Sequence, residues 1–159
     1  MKSHTRLAKK LDKKRVIICL LVFFTLMPIF SYLHEAGHAL VCIADGNEAE
    51  ISVDILSGGL TLCHGEVSNL FAYKISGGLL AGIIGTIVGI MLFRWKIPFI
   101  AFTTIGVGHL VNACIETYAD SYFTHGNEWS AFLGFIEVVV FLSLLIIFDR
   151  KTVKRNNVL

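Results

Sequence analysis

Charge is scarce in this sequence. Asp, Glu, Lys and Arg make up 16% of its 159 residues, against roughly 25% in soluble domains. Hydrophobic residues make up 55% and the mean hydropathy is +0.70. That balance excludes an ordinary soluble domain and points to an integral membrane protein, long enough for one compact domain. A small-residue cleavage site is also missing: the basic start runs straight into an apolar stretch, so it reads as a retained cytoplasmic segment and not as a signal peptide. C-x-x-C pairs are missing too. Cys19, Cys42 and Cys114 lie in apolar runs and Cys63 stands apart. All four read as small hydrophobes, with no disulfide framework expected.

The charge that is present is concentrated. Residues 1–15 hold Lys2, Arg6, Lys9, Lys10, Lys13, Lys14 and Arg15, with Asp12 the one acid. Because this run abuts an apolar span, a lipid surface is its expected partner, not a nucleic acid. Four spans follow. Residues 16–44 are longer than a bilayer core of roughly 30 Å requires, and Pro28 is a candidate kink. Residues 74–93 pair Gly78 with Gly82 and Gly85 with Gly89, a spacing that lets helices approach closely without specifying an oligomeric state. Residues 97–119 are apolar but carry His109, Asn112 and Glu116. Residues 131–148 are apolar apart from Glu137. Between the first two spans, Asp45-Gly46-Asn47 stops a helix. Ile51, Val53 and Ile55 then alternate with polar neighbours, Ser57-Gly58-Gly59 offers a turn, and Leu60 and Leu62 resume the alternation. This predicts a short β-hairpin leaning on the helices.

The expected fold class is therefore an α-helical membrane protein of about four transmembrane helices, with a β-hairpin loop after the first. Its expected organisation is a basic cytoplasmic segment (1–15), one membrane domain (16–148) and a basic cytoplasmic tail (149–159). Segments 1–15, 94–96 and 149–159 hold thirteen of the fourteen Lys and Arg residues, and Lys74 is the exception. Such asymmetry puts both termini in the cytoplasm. The location expected is a prokaryotic cell membrane.

One pattern carries chemistry. His34-Glu35-Ala36-Gly37-His38 reads H-E-x-x-H inside the first span. On a helix, residues four apart share a face, so both imidazoles can reach one metal ion, Zn2+ being the expected one, with Glu35 placed as general base. Three ionisable side chains in lipid are costly unless they face a protein interior or a wet cavity. Catalytic zinc usually takes three protein ligands. The candidates for the third are His64, His109, Glu116, Asp120, His125 and Glu137. His34 is 19 residues past Arg15, about 28 Å along a helix. Counted from Lys96, Glu116 is 20 residues on and Asp120 is 24. Depth slightly favours Glu116, a tilted or unwound helix end favours Asp120, and Glu137 stays possible. His109 lies deeper, where a hydrogen bond across helices is the simpler role, and His64 reads as a surface histidine.

These residues resemble the site-2 protease class of intramembrane zinc metalloproteases, particularly its small members. The resemblance covers roughly residues 30–122. It rests on His34 to Leu40 (H-E-x-G-H-A-L) in an early span, on Ser76-Gly77-Gly78 opening a later one after a β-containing loop, and on Asn112 followed eight residues later by Asp120. The chain departs from the class at Ile115 and Thr117, where proline is common, and at Ser121, where glycine follows the Asp. The resemblance implies Zn2+ held by His34, His38 and Asp120, with Glu116 the alternative ligand, Glu35 catalytic, and Asn112 holding the substrate or the site. It implies cleavage of a membrane-tethered protein or peptide, in or near its membrane-spanning segment. The hairpin would offer a strand edge to hold that substrate extended. No PDZ-like domain is expected, since four spans leave no room. A non-catalytic membrane metal carrier or scaffold is the alternative, and such a protein has no need of Glu35.

Overall fold

A computed structural model describes residues 13–54, 58–119 and 126–156. The protein is an α-helical membrane protein. Its elements run α1 (Lys13–Ala44), β1 (Glu48–Asp54), β2 (Gly58–His64), α2 (Leu70–Met91), α3 (Lys96–Tyr118) and α4 (Gly126–Asn156). All four helices are long and apolar enough to cross a membrane, as the sequence leads one to expect.

Why α1 stops where it does is visible in its hydrogen bonds. Gly46 takes φ +81°. Its N–H donates to the Ile43 carbonyl (2.9 Å), and the Asn47 N–H donates to the Cys42 carbonyl (3.2 Å). This is a Schellman cap, which satisfies the last carbonyls and turns the chain back over the helix end. Ser68 then returns to that turn, donating from N (2.8 Å) and Oγ (2.6 Å) to the Asp45 carboxylate. Those two bonds hold the Asp45 carboxyl below the usual carboxylate range. Asn69 caps α2 by accepting from the Ala72 N–H (3.0 Å). Pro98 falls in the first turn of α3, where the missing N–H costs no helical bond. At Pro28, by contrast, α1 continues as one helix.

The hairpin pairs antiparallel from Glu48↔His64 to Asp54↔Gly58. Ile55, expected in its first strand, and Ser57, expected in its turn, lie outside the described residues. Ile51 and Val53 are half-buried against α1, but Leu60 and Leu62 point outward. The inward positions of β2 are Thr61 and Cys63. Apolar alternation alone would send the leucines inward; here the inward face meets a carboxylate.

Cysteine is where the structure corrects the sequence reading. Cys42 and Cys63 form a disulfide, their Cα atoms 5.8 Å apart. The pair is 21 residues apart in sequence and becomes adjacent because the cap folds β2 back onto α1. Cys19 and Cys114 are free.

Packing follows the glycines. A Cβ at Gly78 would meet the His109 carbonyl and Ala113, one at Gly85 would meet Gly106, and one at Gly89 would meet Thr103. The stripe thus seats α2 directly on α3, with backbones in van der Waals contact. Gly37 does the same for α1, lying against Ser76 and Gly77 of α2. One apolar cluster joins α1, α2 and α3 through Phe30, Ala81 and Ile105. A second, toward the other end of α1, joins α1, α3 and α4 through Cys19, Ile100, Phe141 and Leu145. The large apolar side chains outside these clusters, such as Leu21, Phe24, Ile87 and Phe135, are exposed on the helix exteriors. Buried polar residues inside and exposed apolar ones outside is the distribution a bilayer requires.

Candidate metal centre

His34, Glu35 and His38 are all buried. They lie in the last third of α1, where Gly37 lets α2 come close enough to form a wall. That wall is itself glycine. A Cβ on Gly77 would collide with His38 Nε2 and the His34 carbonyl, so the site exists only because position 77 has no side chain.

The third side comes from α3. Glu116 is 3% exposed. Its Oε1 lies 3.1 Å from His34 Nε2 and its Oε2 lies 3.5 Å from His38 Nε2. The two Nε2 atoms are 3.1 Å apart. A tetrahedral ion with bonds of about 2.0–2.2 Å spaces its ligands by about 3.3–3.5 Å. The three donors therefore already outline one face of such a shell, and they form a group able to hold a metal ion. Among the described residues Glu116 Oε2 has no hydrogen-bond donor, and a buried carboxylate oxygen without one is costly. A cation among the three donors removes that cost. Two imidazoles and a carboxylate are a donor set that suits a divalent transition ion such as zinc or iron.

Each ligand is oriented from behind. His38 Nδ1 donates to the Tyr73 carbonyl (2.7 Å), which fixes the tautomer that presents a bare Nε2 to an ion. His34 Nδ1 lies 3.3 Å from His109 Nδ1, and the His109 ring stacks on Phe30. His109 thus makes the cross-helix contact expected of it. Asn112 donates from Nδ2 to Glu116 Oε1 (3.0 Å), so it supports the site one helical turn before the carboxylate.

The Glu35 carboxylate meets β2. The Thr61 hydroxyl lies 2.8 Å from Glu35 Oε2 and 2.9 Å from the Glu35 carbonyl. A Cβ on Gly59 would strike the same carboxylate.

Of the residues named from the sequence, the fold brings together His34, Glu35, His38, His109, Asn112 and Glu116. Asp120 and His125 lie outside the described residues. Glu137 is not in the group: its carboxylate lies against Gly108, beside a groove lined by Leu20, Phe23 and Phe141. His64 is exposed, 3.9 Å from Glu50 across the hairpin. Sequence reasoning missed Gly59, Thr61 and the Tyr73 carbonyl. A polar Thr61 between Leu60 and Leu62 was the available signal for the second. A backbone carbonyl leaves no signal at all. Comparison of the chain with protein-family models, curated proteins and solved structures gives no match.

Proposed function

We propose that the chain is an intramembrane zinc metalloprotease, similar to the site-2 protease class. It would hydrolyse peptide bonds in or near the membrane-spanning segments of tethered proteins or peptides. The observation that carries this reading is the convergence of His34, His38 and Glu116, with Glu35 adjacent, inside a bundle of transmembrane helices.

A zinc ion bound there supplies a Lewis acid, which polarises a carbonyl and makes water easier to deprotonate. The remaining work belongs to the chain. His34 and His38 offer neutral Nε2 atoms, and His38 is held in that tautomer by Tyr73. Glu116, steadied by Asn112, supplies the negative charge. Glu35 takes a proton from the attacking water and passes it to the leaving amine. The helix walls keep lipid out of the polar interior. Asp120 is the ligand the class resemblance implies. In this reading Glu116 holds that place.

The test uses the full chain purified in detergent, with a transmembrane peptide as substrate. Chelation should stop cleavage, and stoichiometric zinc should restore it. Cleavage that persists in metal-free protein would overturn the reading.

Two features support the proposed orientation in a prokaryotic cell membrane. Lys13, Lys14 and Arg15 open α1, and Arg94 and Lys96 stand at the α2–α3 turn, ends opposite the site, and the Cys42–Cys63 disulfide lies at the site end, which suits an oxidising compartment. Both termini then face the cytoplasm. A cysteine introduced at exposed Glu66 should react with a membrane-impermeant maleimide in intact cells. One at exposed Arg94 should react only after permeabilisation. The reverse pattern would invert the topology.

A further inference from the structure

We propose that Thr61 is the positioning residue for the Glu35 carboxylate, and that the Cys42–Cys63 disulfide keeps it in place. The role assigned to Glu35 rests on the protease reading; the contact does not.

A general base must hold an oxygen within hydrogen-bonding reach of the proton it takes, about 2.6–3.2 Å. A glutamate has three rotatable bonds and does not hold one position unaided. In this protein β2 supplies the restraint from two sides. Gly59 leaves a gap that the carboxylate fills, and any side chain there would displace it. An ionised carboxylate only accepts hydrogen bonds, so the Thr61 hydroxyl, 2.8 Å from Oε2 and 2.9 Å from the Glu35 carbonyl, is the donor and shares its one proton between them. Thr61 thus restrains Oε2, while Gly59 borders Oε1.

Thr61 is in turn held from outside the strand. The Tyr73 hydroxyl of α2 donates to the Thr61 carbonyl (3.4 Å). Two residues on, on the same inward face of β2, Cys63 is bonded to Cys42. Cys42 is seven residues past Glu35, two turns along the same helix. The base and the anchor of its restraint are therefore both on α1. A two-stranded hairpin is at best marginally stable alone, so its register over Glu35 depends on this bond and on the packing of Ile51 and Val53. The Cys42 side chain is fully buried and Cys63 is half-buried.

The test uses the full chain in detergent with zinc bound. Its main readout is the infrared carboxylate band of Glu35, assigned from the difference against Glu35→Gln. Thr61→Val keeps the side chain's shape and removes the donor. It should shift the band and lower kcat about tenfold, with KM and zinc content unchanged. Thr61→Ser restores the donor and should return both the band and most of the rate. The pair Cys42→Ala/Cys63→Ala should shift the band in the same direction with zinc retained. An unmoved band in Thr61→Val overturns the positioning role, as does loss of zinc in that variant, which would make the residue merely structural. An unmoved band in the cysteine pair overturns the part given to the disulfide. If the wild type shows the expected band behaviour but cleaves nothing, the protease reading fails and the Thr61–Glu35 contact stands.

Discussion

Glu35→Gln is expected to lower the cleavage rate by a factor of about 10² to 10⁴, the usual contribution of a positioned general base, while the protein keeps its full complement of zinc. The substitution is nearly isosteric. Glutamine retains an oxygen that can accept from Thr61, so the hairpin should stay seated. It removes only the ability to take and return a proton. The atoms that could hold a metal are others, on His34, His38 and Glu116, so binding should persist. This dissociation also separates an enzyme from a metal carrier or scaffold, for which Glu35 has no assigned work. Zinc content by elemental analysis and turnover of a transmembrane peptide, measured on one preparation, decide it. Equal turnover in the variant and the wild type would end the proposed mechanism.

Glu116→Ala should weaken zinc binding by more than the roughly 10- to 100-fold typical of losing a supporting hydrogen bond, because the proposed ligand itself is removed. It also strands the Asn112 amide, so some loss of stability should accompany it. Asp120→Ala is the comparison that gives the measurement meaning. The described geometry places Glu116 against both imidazoles, so the larger loss of affinity is expected at 116. If Asp120→Ala removes the metal and Glu116→Ala spares it, Glu116 is a hydrogen-bonding partner of the histidines, and the ligand implied by the family resemblance is the correct one. Competition with a chelator of known zinc affinity gives both constants on one scale.

The fold was legible because bilayer constraints are written in composition. Long uncharged runs, Lys and Arg at their flanks, and glycines four apart fixed the four helices and anticipated their close contact. The hairpin was legible as alternation, but its facing was not. Leu60 and Leu62 look inward on hydrophobicity, whereas the structure turns Thr61 and Cys63 inward, because what lies beneath is Glu35 and Cys42. A strand over a polar site inverts the usual rule. The disulfide was hidden for a related reason: Cys42 sits in an apolar run whose composition says core, and only the Schellman cap at Gly46 brings Cys63 to it. The candidate metal site was half legible. H-E-x-x-H places two candidate ligands by helical period alone. The third depends on how α3 sits against α1, and that is set by Gly78 and Gly85 at the α2–α3 contact and by Gly37 and Gly77 at the α1–α2 contact, not by any local spacing around Glu116.

Glu116 follows His34 by 82 residues, and that interval is also a delay. At synthesis rates of about 5–20 residues per second, roughly 4 to 16 seconds separate the two sides of the site as the chain emerges. During that time α1 carries two imidazoles and a carboxylate with no α3 to face. The candidate site therefore stays incomplete until the third helix arrives, and the cluster that joins α1, α3 and α4 through Cys19, Ile100, Phe141 and Leu145 closes later still.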